Sequence, residues 1–158
     1  MNKNNVLVLD IETKPKPYND LLDKLLLKKV RSLSTYEAVD KKRKYSFRSP
    51  VFADIMHIGT LFEDVATGDI YEEQFVSDGD EKQLIQNFID YITPFTGTYV
   101  HFNGLDFDCP FILTKCALYG ITPPDNFCKL IRFSTYPHYD LMQVLTHWGR
   151  FPMSLEEA

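Results

Sequence analysis

Asp10 and Glu12 follow the apolar run Val6-Leu-Val-Leu9. Strand side chains alternate, so positions 10 and 12 project to one face. Two like charges held side by side repel, and without compensation one carboxyl takes up a proton. A divalent cation between them resolves the repulsion; the alternative is that both acids open a surface loop. A second acidic group, Asp106 and Asp108, stands in Tyr99-Val-His-Phe-Asn-Gly-Leu-Asp-Phe-Asp-Cys-Pro-Phe111. That segment reads as strand, turn and helix start, with a carboxylate at the lip of a strand. Asp108 is either a metal ligand or a helix N-cap, and two oxygens can serve both. No Ser/His/Asp set, Walker loop or nucleotide-binding glycine fingerprint competes with these acids.

The elements that must position them follow from periodicity. Val6 to Asp10 reads as a strand covered on both faces, ended by Lys14-Pro-Lys-Pro17. Asn19 or Asp20 caps a helix to about Val30, and a short helix is expected over Glu37–Lys44. Asp54–Phe62 and Ile70–Val76 read as strands around a turn at 66–69. Leu84, Ile85, Phe88, Ile89 and Ile92 recur at helical spacing over 81–92, and Pro94 ends the run. Tyr99–Phe102 is a strand, and a helix follows from Asp108 to a stop at Gly120. Leu130–Phe133 is expected as a short strand. Asp140 starts a helix with Leu141, Val144, Leu145 and Trp148 on one face. Ser154 and Glu157 have capping-box spacing. This order implies a single α/β domain over 1–158, with helices packed on a mixed sheet.

The chain has 158 residues, enough for one core, and carries 44% hydrophobic and 25% charged residues, which excludes disorder as its main state. No apolar run is long enough to span a membrane, and the N-terminal run is too short for a signal segment. Cys109, Cys116 and Cys128 lack C-x-x-C spacing, so neither a zinc site nor a disulfide framework is expected; a reducing, cytoplasmic setting is. His57, His101, His138 and His147 show no ligand spacing and read as structural. Charge is segregated. Residues 24–48 hold nine bases and two acids, a net of +7, so the rest of a chain totalling −5 carries −12. Within that arm, Lys41, Lys42, Arg43 and Lys44 are suited to phosphate backbone, or form a solvated face. Tyr36, Tyr45 and Phe47 lie among the bases and suit stacking on unpaired bases, or packing.

Val8-Leu-Asp-Ile-Glu-Thr13 resembles the first motif, D-x-E, of the DEDD superfamily of 3′–5′ exonucleases. Asn103-Gly-Leu-Asp-Phe-Asp108 resembles its second motif, N-x(3)-[FY]-D. The stretch His138-Tyr-Asp-Leu-Met-Gln-Val-Leu145, with Gly149 and Ser154-Leu-Glu-Glu157, is similar to a region of the predicted exonucleases akin to the proofreading domain of family B DNA polymerases. The resemblance does not cover the basic helical insertion at about 14–50. It implies an RNase H-like mixed sheet flanked by helices and two Mg²⁺ or Mn²⁺ ions. Asp10, Glu12 and Asp108 match its metal ligands and catalytic residues. Thr13, Asn103 and Phe107 are assigned to substrate binding with the 41–44 bases, and Asp140 to a supporting contact behind the ligands. The third motif, a Tyr or His followed by a fourth Asp, would lie beyond Ser154, so the domain is expected to be C-terminally incomplete. The implied activity is removal of nucleotides from single-stranded or frayed 3′ ends, DNA in preference to RNA. The rival is a non-catalytic nucleic-acid-binding or protein-interaction module on the same scaffold. No membrane partner is expected, and oligomeric state is left open.

Overall fold

The computed structural model describes residues 4–16 and 46–149. The helices expected at about 19–30 and 37–44, most of the basic arm and the Ser154 capping box lie outside the described residues. Strand β1 (Val6–Pro15), β2 (Ala53–Asp64) and β3 (Asp69–Val76) form an antiparallel meander, and β4 (Thr98–His101) and β5 (His138–Asp140) add in parallel to the other side of β1. The sheet order is β3-β2-β1-β4-β5. Helices α1 (Glu81–Ile92), α2 (Asp108–Tyr119) and α3 (Leu141–Leu145) connect or follow the strands, and a 3-10 turn covers Ser46–Arg48.

Alternation along β1 sets the layers. Leu7, Leu9 and Ile11 are at most 5% exposed, whereas Val8, Asp10 and Glu12 lie on the opposite, exposed face. The expectation that both faces of this strand are covered is therefore not met among the described residues. The buried face packs on α1 through Leu84, Ile85, Phe88, Ile89 and Ile92, the positions marked by helical spacing. Each such side chain contributes roughly 1.5–3 kcal/mol on burial. Helix α1 starts where the Asp80 carboxylate accepts from Gln83 N at 3.0 Å. Helix α2 supplies Phe111, Ile112 and Cys116 to the same core and stops at Gly120, whose φ of 69° is the left-handed closure that glycine adopts without strain.

One charged cluster ties the helices to β2. Lys115 is fully buried, with Nζ 2.8 Å from Glu81 Oε2 and 3.0 Å from Asp54 Oδ1. Glu81 also accepts from Ile55 N at 2.6 Å and from the Tyr119 hydroxyl. Every charge in this pocket is paired, as a buried lysine requires.

Two further expectations are corrected. Leu130–Phe133 forms no strand, and Phe133 has a φ of 61°, which extended pairing does not allow. The fifth strand comes later, at His138. Helix α3 does begin after Asp140 but ends at Leu145 with no residue buried, so Trp148 is not on its face. His147 and Trp148, with φ of 49° and 61°, turn the chain out of the helix.

Candidate active site

The two acidic motifs meet in space. Asp108 Oδ1 accepts a hydrogen bond from Ile11 N at 3.1 Å, across 97 residues of sequence. Ile11 stands between Asp10 and Glu12, so the α2 carboxylate is fastened at the strand that carries the other two. Asp108 is not an N-cap. Phe107 occupies the cap position without a side-chain bond, and Asp108 is the first residue of the helix. Its carboxylate reaches β1 at Ile11 N as well as its own backbone amide. In β1 the pairing with β2 shifts between Glu12 and Thr13, a bulge that falls directly after the D-x-E pair.

The site is electrostatically strained. Asp108 is 3% exposed, and its pKa is pushed up to about 6, by burial first and then by the charge of Asp10. Burial also raises Asp10, and the charge of Glu12 adds to it. Among the described residues no lysine or arginine forms an ion pair with any of the three. Three oxygen donors with mutual repulsion suit a hard divalent ion. The three are spread wider than a single compact ligand set. Among the described residues the only trio of ligand side chains with donor atoms within 4.8 Å of one another is His101, Cys109 and His138.

Asp140 is fully buried and holds the second motif from behind. Its oxygens accept from Asn103 N at 2.9 Å, Leu105 N at 3.0 Å and Gln143 N at 3.2 Å. Burial opposes its charge, but the His101 ring and the amides of Leu105 and Gln143 outweigh burial and lower its pKa. Asn103 has a φ of 61°, a conformation asparagine tolerates better than most residues. Gly104 is required by close approach, since a Cβ there would fall 2.4 Å from His101 Cγ. The Asn-Gly pair is thus explained by backbone geometry. Asp140 thus anchors the 103–105 loop through its two oxygens.

A cleft of about 450 Å³ borders the motifs, lined by Phe47, Arg48, Asn103, Asp106 and Phe107. Asn103 and Phe107, assigned to substrate binding, both face it. Thr13 does not line it; its hydroxyl donates to the Phe47 carbonyl at 2.8 Å, joining the strand after Glu12 to the cleft wall. Lys41, Lys42, Arg43 and Lys44 lie outside the described residues. Arg48, the described end of the basic arm, sits 5.5 Å from the Phe47 ring centroid. Asp106 is ion-paired with Arg132 at 2.9 Å, a partner no spacing in the sequence indicated. A separate, more apolar groove of about 350 Å³, lined by Leu7, Phe62, Tyr71, Tyr91 and Phe95 among others, holds none of these acids.

A mixed five-stranded sheet with helices on it, and acids converging at the central strand, defines an RNase H-like exonuclease fold. Solved structures share that fold. The family B DNA polymerase of the archaeon Pyrobaculum calidifontis superposes with a TM-score of 0.55 at 17% identity, over 92% of this chain and 16% of the polymerase. A product-bound exonuclease I superposes with a TM-score of 0.57 at 10% identity, over 99% of this chain and 36% of that one. Escherichia coli exonuclease I in complex with a dA16 oligonucleotide gives 0.55 at 10% identity, over 98% and 33%. This chain therefore spans about one-third or less of the length of these proteins. No curated protein matches it in sequence. Residues 51–158 match the model of the predicted 3′–5′ exonucleases related to the exonuclease domain of PolB, and the chain belongs to that family.

Proposed function

We propose that this domain hydrolyses phosphodiester bonds at the 3′ end of single-stranded or frayed nucleic acid, with DNA as the preferred substrate. The observation that carries the reading is the Ile11 N–Asp108 Oδ1 bond, which brings the two acidic motifs to one strand. Asp10, Glu12 and Asp108 are the residues to hold Mg²⁺ or Mn²⁺. Two such ions supply an activated water and charge neutralisation at the scissile phosphate. The protein residues perform the rest. The buried Asp108 carboxyl must lose its proton to act as a ligand. Asp140 keeps the 103–105 backbone rigid beside it. Phe47, Arg48 and Phe107 in the cleft suit a terminal nucleotide, the rings by stacking and the guanidinium by pairing with phosphate. The complex of exonuclease I with an oligonucleotide supports a strand as ligand of this fold. The three free cysteines fit a reducing compartment, and we place the chain in the cytoplasm. Among the described residues no helix is long and apolar enough to cross a membrane.

The test is release of mononucleotides from a 3′-labelled oligonucleotide, with and without Mn²⁺ or Mg²⁺. Asp10→Ala or Glu12→Ala is expected to lower the rate by at least about a thousandfold. Activity that survives Asp10→Ala overturns the assignment. Oligonucleotide binding without any metal-stimulated release would instead make the domain a binding module.

A further inference from the structure

Three side chains converge behind the carboxylates. His101 ends β4, His138 begins β5 and Cys109 is the second residue of α2. All are at most 2% exposed. His101 Nε2 lies 3.2 Å from His138 Nδ1, and Cys109 Sγ lies 3.7 Å from that same nitrogen.

The outer nitrogens restrict which tautomers are present. His138 Nε2 faces the Phe127 carbonyl at 2.9 Å, so it carries a hydrogen and leaves a lone pair on Nδ1. His101 Nδ1 faces Asp140 Oδ2 at 3.5 Å and makes no hydrogen bond, so its Nε2 either donates to His138 Nδ1 or, with the hydrogen on Nδ1, offers a second lone pair. In the second tautomer two lone pairs share a buried, low-dielectric space, their nitrogens 3.2 Å apart. A divalent ion set off the line between the two nitrogens, toward Cys109 Sγ, would take up both lone pairs. Tetrahedral zinc bonds of about 2.0–2.1 Å to nitrogen and about 2.3 Å to sulfur put ligand nitrogens about 3.3 Å apart, and nitrogen and sulfur about 3.6 Å apart. The observed separations match both. Histidine ligands also characteristically give their second nitrogen to a carboxylate or a carbonyl, the two partners found here.

We propose that His101 Nε2, His138 Nδ1 and the Cys109 thiolate form a buried site for a zinc-type divalent ion, separate from the Asp10, Glu12 and Asp108 carboxylates. The soft sulfur and two imidazoles select zinc over magnesium. Binding breaks the Cys109 S–H bond and forms a metal–sulfur bond, and the proton leaves to solvent. Three protein ligands leave the fourth position to water. The ion would join β4, α2 and β5, the elements that hold Asp108 and Asp140, and it does not depend on nuclease activity.

Cobalt is the probe. Chelator-treated chain is expected to take up one Co²⁺ with a thiolate-to-cobalt band in the near ultraviolet, in the presence of excess Mg²⁺. The band should vanish in Cys109→Ser and persist in Cys128→Ser and in the Asp10→Ala/Glu12→Ala double variant. Excess Zn²⁺, a hundredfold over its dissociation constant, should raise the melting temperature by about 5–10 °C. X-ray absorption of zinc-loaded native chain requires no variant. One sulfur and two imidazoles around the metal support the site. A shell without sulfur, a band lost in Cys128→Ser, or no uptake at all overturns it and leaves a shared proton between the rings.

Discussion

Asp108 is the residue whose surroundings most restrict its chemistry. In the ion-free chain it retains its proton to about pH 6, against an ordinary value of 3.8, because burial and then Asp10 disfavour its charge. The folded state therefore binds a proton that the unfolded state releases, and stability falls as pH rises through 3.8 to about 6. Without divalent ions, native protein should lose on the order of 2 kcal/mol relative to Asp108→Asn between pH 4 and pH 7, read from urea denaturation. Parallel pH profiles for the two proteins would show that no charge is strained there. Saturating Mg²⁺ should close the gap, since an ion compensates the carboxylate and a neutral amide gains little.

At the scale of elements, the junction of β5 with α3 supports the loop of the second motif. Asp140 caps α3 and receives the amides of Asn103 and Leu105 from across the sheet. Asp140→Ala leaves those amides without a charged acceptor and should cost about 3–5 kcal/mol in unfolding free energy. Asp140→Asn retains one acceptor oxygen and should cost less. In that milder variant the rate of nucleotide release is expected to fall about tenfold, with weaker apparent Mg²⁺ affinity, because the loop before Asp108 loses its fixed position. Unchanged kinetics in a destabilised Asp140→Asn protein would show that the loop does not set the carboxylate. The capping role of Asp140 was legible in sequence. Its reach to residues 103 and 105 was not, because it depends on β4 and β5 pairing in register, His101 opposite Asp140.

At the scale of the whole molecule, charge is divided between an acidic body of −12 and a basic segment of +7. A strand lying along that segment releases counterions, so its affinity falls with salt by a log–log slope of about 0.7 per phosphate neutralised. Replacing Lys41, Lys42, Arg43 and Lys44 by alanine should reduce the slope by up to about 3, measured by anisotropy of a labelled oligonucleotide on the Asp10→Ala background. Equal slopes would make those four residues a solvated face.

Sequence alone determined the features that are local. The D-x-E pair on one strand face, the α1 core stripe and the Gly120 stop follow from periods of 2 and 3.6 and from backbone preferences, which neighbouring residues carry. Sequence also marked Asp10, Glu12 and Asp108 as one set, through motifs in order. Tertiary structure decided what arises from distant segments meeting. It made Asp108, which sequence left open as ligand or cap, a buried first residue of α2 held by Ile11 N. It left the Asp10 face of β1 exposed among the described residues, and it formed the fifth strand at His138 instead of Leu130. It also brought His101, Cys109 and His138 together, where sequence spacing showed no ligand pattern. The physical reason is common to all four. Strand pairing and helix packing fix which side chains share a low-dielectric space, and spacing along the chain does not record them.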